Sequence, residues 1–202
     1  MDLLLPAGRS PLTIEQSART VGAAVWAERY LYEVVGGWVA SAVNPSVKVF
    51  LDASSQHHAW RAELWLERLP ARLVQAYPGD GVPQPPADLL GPGPERVAAA
   101  LAALGGLEGD SVRVGVYCRV VLTRAMVAYR AWQRRCSTSS DRPVARVLSL
   151  VLSDVLADWQ EAAGTLVGLL EGPEGEKSAL EVAGATTEID RLLIGKGLVA
   201  NA

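Results

Sequence analysis

Histidine and cysteine, two residue types that commonly bind transition metals, are scarce in this chain of 202 residues. The two histidines, His57 and His58, are adjacent, so a second histidine motif elsewhere is excluded. Adjacent residues on a helix point about 100° apart, so this pair does not face one metal ion together. The two cysteines, Cys118 and Cys136, are too far apart for a short metal motif and too few for a disulfide scaffold. A reducing cytoplasm is therefore the expected location.

Long apolar runs and a strong net charge are also missing. Charged residues interrupt the longest apolar stretches, so no membrane span is expected, and the N-terminal Met-Asp-Leu-Leu-Leu-Pro lacks the basic start of a signal peptide. The net charge of −3 gives no global reason to expect nucleic acid as a partner. No Gly-x-x-x-x-Gly-Lys-Ser/Thr phosphate loop occurs. The hydrophobic share of 50% is enough for the core of a single domain over 1–202.

The first part of the chain predicts two helices joined by a short link. Thr13 has the residue type of a helix cap, and the helix that it begins runs to about Ala42. Asn44 and Pro45 predict the next start, because Asn caps a helix and Pro suits its first position. The second helix then runs to about Leu69, with apolar or small residues at helical spacing on one face.

A stretch rich in proline and glycine, 70–93, predicts a long irregular crossover with room for a helical turn at 71–76. The periodicity then predicts further helices at 95–104, 110–135, 142–171 and 177–195, and almost no strand. The predicted fold class is all-α. Two antiparallel helical hairpins joined by a long crossover form the ferritin-like arrangement of a four-helix bundle, here with an extra short C-terminal helix. A helical bundle of another topology is the alternative.

Polar side chains interrupt the apolar faces of three predicted helices. Glu28 lies on that face of the first helix and His58 on that of the second. Asp154 and Asp158 share a face of the helix at 142–171. Di-metal sites in ferritin-like bundles use a Glu on each of two helices and a Glu-x-x-His pair on each of the other two, since residues i and i+3 are neighbours on a helix.

Several residues that such a site needs are missing. Ser54 and Ser55 stand three residues before the histidines, where the motif has glutamate. No acidic residue occurs over 111–138, and Arg119 or Arg124 would bring a fixed cation to the interior there. Because buried carboxylates need a compensating charge, we expect a salt-bridged core and no metal centre. The predicted polar core comprises Glu28, His58, Arg119, Arg124, Asp154 and Asp158.

The segments Trp26-Ala-Glu-Arg-Tyr-Leu-Tyr-Glu-Val-Val-Gly-Gly-Trp38 and Ser55-Gln-His-His-Ala-Trp-Arg-Ala-Glu-Leu-Trp-Leu-Glu-Arg-Leu-Pro70 resemble actinobacterial proteins of the ferritin-like superfamily. The resemblance covers the first hairpin, and it extends to the second hairpin by pattern. It implies a ferritin-like bundle, in a superfamily whose active members store iron or activate oxygen. Of the residues that such activity needs, Glu28 and His58 are the ones that the resemblance carries over.

Two functional hypotheses follow. The first is a non-enzymatic structural, interaction or small-ligand-binding bundle without a cofactor and with no catalytic residues assigned. It would act as a homo-oligomer or with a protein partner, because six tryptophans suit an interface. The alternative is a divergent metal-dependent oxidoreductase with a mononuclear iron site, its ligands drawn from Glu28, His58, Asp154 and Asp158. The basic run Arg130–Arg135 is typical of a solvated helix end, so no nucleic-acid partner is expected.

Overall fold

Helices make up almost all of the described secondary structure, which confirms the all-α prediction. The computed structural model describes residues 10–69, 72–74, 82–84, 87–91 and 95–194. Its helices are α1 (Ile14–Ser41), α2 (Pro45–Leu66), α3 (Glu95–Gly105), α4 (Asp110–Val116), α5 (Thr123–Gln133), α6 (Arg142–Leu170) and α7 (Gly175–Ile194). A π-helical segment, Tyr117–Leu122, joins α4 to α5. Among the described residues, no helix is both long and apolar enough to cross a lipid bilayer.

The first two helices begin where the capping residues predict. Thr13 and Gln16 form a reciprocal capping box, in which the side chain of each accepts a hydrogen bond from the backbone N–H of the other, at 3.2 and 3.0 Å. The side chain of Asn44 accepts from the backbone N–H of Ser46 at 2.9 Å, and Pro45 is the first helical residue. These contacts satisfy amide groups that a helix start leaves without partners.

The described part of the predicted crossover contains a small antiparallel ribbon. Strand β1 (Arg72–Val74) pairs with β2 (Val82–Gln84), and Leu73 lies opposite Pro83. The helical turn predicted at 71–76 is therefore wrong over 72–74, because the backbone there is extended and paired with β2. A 3-10 turn at Ala87–Leu89 follows. The rest of the predicted crossover lies largely outside the described residues.

Contacts within each hairpin show that its two helices run antiparallel. Between α1 and α2, the backbone carbonyl of Tyr32 accepts from the Ser55 hydroxyl, and four residues earlier Glu28 contacts His58. An earlier residue of α1 therefore contacts a later residue of α2, as expected for antiparallel helices. The same relation joins the helical rod α4–α5 to α6, where Gln133 bonds Ser149 and the earlier Cys118 lies near the Trp159 carbonyl.

Contacts between the hairpins give the direction of all four long rods. The backbone N–H groups of Val43 and Asn44, just after α1, donate to the side chain of Asp110 at the start of α4. At the other end of the rod, the N–H of Leu12 donates to the carbonyl of Arg135 at 3.4 Å. α1 is therefore antiparallel to α4–α5, and α2 runs parallel to α4–α5. The chain runs up, down, down and up through α1, α2, α4–α5 and α6.

Two glycines allow backbone segments to pack closely around this core. An ideal Cβ on Gly22 would lie 2.1 Å from the carbonyl oxygen of Leu89, so the 3-10 turn rests directly on α1. A Cβ on Gly115 would lie 2.4 Å from Cγ1 of Val182, so α7 packs tightly on α4. The tail helix predicted at 177–195 is thus an integral layer of the fold, which begins at Gly175 and ends at Ile194.

Candidate functional site

Arg61 on α2 is completely buried and forms the centre of an ion-pair network. Its Nε donates a hydrogen bond to Oε2 of Glu28 on α1 at 3.1 Å. Its Nη1 donates to Oδ2 of both Asp154 and Asp158 on α6, at 2.8 Å in the case of Asp158. Burial disfavours the charged guanidinium, but Glu28 and Asp158 raise the pKa of Arg61 well above its ordinary value. One permanent cation therefore links three helices.

His58 lies beside Arg61 and connects the carboxylate of Glu28 to the phenol of Tyr117. Its Nδ1 is 2.6 Å from Oε2 of Glu28, and its Nε2 is 2.9 Å from the hydroxyl oxygen of Tyr117. The second oxygen of Glu28 accepts a hydrogen bond from the hydroxyl of Tyr129. Glu28, His58, Tyr117 and Tyr129 are all buried, so this branch of the network is shielded from solvent.

The pKa shifts fix the protonation states of this branch. Burial and the charge of Arg61 lower the pKa of His58, so the imidazole is neutral at pH 7. Burial alone would raise the pKa of Glu28, but Arg61 and His58 lower it to about 2, so this group is a carboxylate. Burial raises the pKa of Tyr117, which keeps its proton.

A single tautomer of His58 fits these states. Its Nδ1 carries the proton and donates to the Glu28 carboxylate, while Nε2 accepts from the Tyr117 hydroxyl. The contact of 2.9 Å between Nδ1 and Nη2 of Arg61 is then a close approach of two donors. This nearby cation is one reason why the imidazole does not take a second proton.

The π-helical segment brings the two tyrosines to the same side of their rod. Tyr117 and Tyr129 are 12 residues apart, so on an unbroken α-helix they would point about 120° apart. A π-bulge acts like one inserted residue, so their effective spacing is about 11 residues, close to three full turns. Trp65 and Trp132 stack with 4.7 Å between their ring centroids, and both pack against the ring of Tyr129.

A second branch of the network reaches the surface through His57. The Nδ1 of His57 lies 2.6 Å from Oδ1 of Asp158, whose other oxygen is bound by Arg61. Asp158 is 2% exposed, Asp154 21% and His57 42%. The interior of the network is thus closed, and its α2–α6 edge is open to solvent.

The structure brings Glu28, His58, Asp154 and Asp158 together, but it leaves both predicted arginines out. Arg119 is exposed, and Arg124 is half-buried and donates to Asp190 on α7 at 2.6 Å. The prediction that one of them supplies the interior cation is therefore wrong. The physical reason is that the π-helical segment turns Tyr117 inward and Arg119 outward, while α7 provides an acidic partner for Arg124.

Four residues of the network, Arg61, Tyr117, Tyr129 and His57, were absent from the prediction, and the sequence held signals for the first three. Arg61 stands three residues after His58, a spacing that places both on one face of α2. Tyr117 and Tyr129 lie on a helix that has no acidic residue. Buried tyrosine hydroxyls need hydrogen-bond partners, and the buried carboxylates of the neighbouring helices can accept from them.

The donor set does not fit a pair of metal ions. The i, i+3 pair that faces inward on α2 is His58 and Arg61, so histidine and arginine stand where the di-metal motif has glutamate and histidine. Tyrosine takes the place of glutamate on α4–α5, and Asp154 has Ala157 three residues later instead of a histidine. Arg61 moreover binds oxygen atoms of all three carboxylates.

The open edge offers a smaller set of possible metal ligands. Among the described residues, His57, Asp154 and Asp158 each place one ligand atom within 4.8 Å of the others. Nitrogen and carboxylate oxygen together suit a divalent transition metal. This set differs from the one expected for a mononuclear site, because it contains His57 in place of Glu28 and His58.

A separate apolar cavity of about 50 Å³ lies between α1, α3, α5 and α7. Drug-sized ligands occupy pockets of roughly 300–1,000 Å³. The cavity is therefore too small for such a ligand, and it lends no support to small-molecule binding.

The chain matches no protein-family profile, no curated protein and no solved structure.

Proposed function

We propose that this protein is a ferritin-like four-helix bundle in which a guanidinium replaces the di-metal centre, and that it serves as a structural and interaction protein that assembles with itself. In this account Arg61 supplies the positive charge that metal ions supply in the active members of the superfamily. The protein then needs no cofactor and carries out no redox reaction.

The directions of the long helices support the ferritin-like part of the proposal. α1 and α2 form one antiparallel hairpin and α4–α5 forms another with α6, and α2 runs parallel to α4–α5. A parallel relation between the second and third rods of a bundle requires a connection that crosses its full length. The stretch between the end of α2 at Leu66 and the start of α4 at Asp110 is long enough for such a connection.

The position of the buried guanidinium supports the proposal that the interior has a structural role. Arg61 contacts oxygen atoms of Glu28, Asp154 and Asp158, the carboxylates that face the interior. A permanent cation there repels metal ions, and it occupies the oxygen atoms that would coordinate them. The hydroxyl of Tyr129 takes the remaining oxygen of Glu28. The interior is thus suited to holding four helices in register.

Oxidation of ferrous iron tests this proposal. Protein purified without chelator is mixed with ferrous iron in air, and oxygen consumption is followed with an electrode. We expect the wild type and the Glu28→Gln variant to consume oxygen no faster than buffer with iron alone. Turnover by the wild type that Glu28→Gln abolishes would overturn the proposal.

A second candidate function is a metal-dependent oxidoreductase with a mononuclear site, and the convergence of His57, Asp154 and Asp158 at the open edge favours it. Its activity would depend on His57 and would be insensitive to Glu28. The same oxygen assay with His57→Ala therefore separates the two functions. Iron turnover that His57→Ala abolishes and Glu28→Gln leaves unchanged would establish the second.

A further inference from the structure

The two ends of α6 carry exposed side chains of opposite charge. α6 has no acidic residue in its first turn and no basic residue in its last. Its first two turns instead carry Arg142 and Arg146, and Glu171 and Glu174 follow its last turn. A helix dipole favours negative charge at the N-terminus and positive charge at the C-terminus. The arginines gain nothing from the dipole of α6, although Asp141 stands at its N-cap, whereas Glu174 and Glu176 lie at the start of α7, where its dipole favours negative charge.

The N-terminal end of α6 belongs to an exposed arginine surface. Arg130 and Arg134 on α5 flank Gln133, whose side chain bonds Ser149 of α6, and α6 adds Arg142 and Arg146 on the same outer side. All four arginines are exposed, and none has an acidic partner among the described residues. We call these four residues the arginine end.

The C-terminal end of α6 belongs to an exposed glutamate surface. Four glutamates surround the turn into α7, and none has a basic partner in the described part of the chain; they are Glu171, Glu174, Glu176 and Glu181. Lys177 is the one cation among them in sequence. We call these four residues the glutamate end. α6 has 29 residues, so the two ends lie roughly 43 Å apart.

Exposed apolar side chains accompany both ends. Val127 and Leu150, each about half exposed, stand one helical turn from Arg130 and Arg146. Val167 stands one turn before Glu171, and Leu180, 71% exposed, is next to Glu181. Apolar side chains within a charged rim are the usual composition of a protein interface.

We propose that the arginine end of one copy binds the glutamate end of a second copy, so that the protein assembles head to tail. Four arginines at one end match four glutamates at the other, with Asp141 beside the first set and Lys177 beside the second, and none of the eight has an ion-pair partner among the described residues. Because the two surfaces differ, the contact is heterologous and produces rings or open chains of subunits. This inference specifies the self-assembly in the proposed function and rests on it.

The arginine end suits an acidic protein surface better than single-stranded nucleic acid. Proteins that bind single strands stack bases on exposed aromatic rings. Trp132, the aromatic residue between Arg130 and Arg134, is 1% exposed and packs on Trp65. Guanidinium groups also form paired hydrogen bonds with carboxylates, which matches the glutamates of the opposite end.

Charge reversal tests the proposal on the full chain. Molar mass is measured by light scattering after size-exclusion chromatography, at protein concentrations up to about 200 μM and in 50 and 500 mM NaCl. We expect the wild type to form oligomers in low salt and to dissociate at least tenfold more readily in high salt, because salt screens charge pairs. The double variants Arg134→Glu/Arg146→Glu and Glu174→Arg/Glu181→Arg should each be monomeric.

An equimolar mixture of the two double variants gives the decisive result. The first variant keeps an intact glutamate end and the second an intact arginine end, so the mixture should form a complex of the two variants that neither forms alone. The control Asp52→Arg/Glu63→Arg changes the net charge by the same amount on the outer side of α2, and it should assemble like the wild type. Circular dichroism confirms that each variant is folded.

A wild type that stays monomeric throughout overturns the proposal, as does a mixture that fails to assemble. Retention of a monomeric wild type on anionic vesicles or DNA through the arginine end would overturn it in favour of a non-protein anion. The iron-oxidation assay does not depend on assembly. A result that refutes head-to-tail assembly can therefore be distinguished from a result that refutes the metal-free core.

Discussion

Arg61 determines the character of the interior, because a buried guanidinium is stable only where carboxylates surround it. Glu28 approaches from α1, and Asp154 and Asp158 approach from α6. The arginine and its partners therefore require one another. Removal of one member leaves the others buried without compensation.

We predict that Arg61→Met strongly destabilises the protein. The substitution leaves three carboxylates without their cation, and the loss of one partner from a buried ion pair costs about 3–5 kcal/mol. Urea unfolding measures the free energy. The control is Arg124→Met, which removes the half-buried pair with Asp190 and should cost no more than about 1 kcal/mol. Equal losses for both variants would contradict this role of Arg61.

The pH dependence of stability should follow Glu28 and His58. The pKa of Glu28 falls from its ordinary 4.5 to about 2 on folding, so its contribution is complete above pH 4.5 and is lost as the pH falls toward 2. The pKa of His58 falls below its ordinary 6.5, so the unfolded chain binds a proton there first as the pH drops. Stability should therefore decline in two stages, the first below about pH 6.5.

Urea unfolding at a series of pH values checks this prediction. The variant His58→Gln should lack the first stage of the decline, and Glu28→Gln should lack the second. Stability that is constant between pH 7 and pH 5 in the wild type would refute the assignment of His58 as a neutral base.

At the scale of the elements, the π-helical segment limits what the sequence predicts. The capping residues Thr13, Asn44 and Pro45 identify the helix starts directly, because capping is a local interaction. The π-bulge has no such local signal here, and it shifts the inward face of the rod by about one residue. A regular helical period therefore misses Tyr117 and Tyr129.

Packing between α4 and α7 depends on the lack of a side chain at Gly115. We predict that Gly115→Ala lowers stability by about 1–3 kcal/mol, the usual cost of overpacking, because its Cβ would meet Val182. The matched control is Gly164→Ala on α6, where a Cβ meets nothing within 4 Å. That variant should gain up to about 1 kcal/mol from helix propensity. Thermal unfolding compares the two, and a loss for both would contradict the packing argument.

At the scale of the whole molecule, the helical period of the hydrophobic residues predicts the all-α class. Glu28, His58, Asp154 and Asp158 are predictable members of the polar core because they interrupt apolar helix faces. The source of the cation was not predictable in the same way. Arginine is mostly a surface residue, so the sequence alone predicts that Arg61 is exposed to solvent. Its burial becomes evident only when the positions of α1 and α6 are known. The carboxylates of α1 and α6, which are distant in sequence, thus determine which arginine is buried, and the local sequence pattern does not.

Because the network ties α1, α2 and α6 together, the two hairpins should unfold as one unit. We predict that the fluorescence of the six tryptophans, which include the stacked pair Trp65 and Trp132 from the two hairpins, and far-ultraviolet circular dichroism follow the same urea transition. Two separate transitions would indicate that the hairpins are independently stable and that the network does not couple them.

The central claim, that Arg61 stands in place of metal ions, is tested most directly by the metal response of Arg61→Met. Thermal unfolding or recovery of helical circular dichroism is measured with and without manganese or zinc. We expect either metal to stabilise Arg61→Met, to leave the double variant Glu28→Gln/Arg61→Met unchanged, and to have no Glu28-dependent effect on the wild type. Stabilisation of the wild type that requires Glu28, or no metal response in Arg61→Met, would contradict the account.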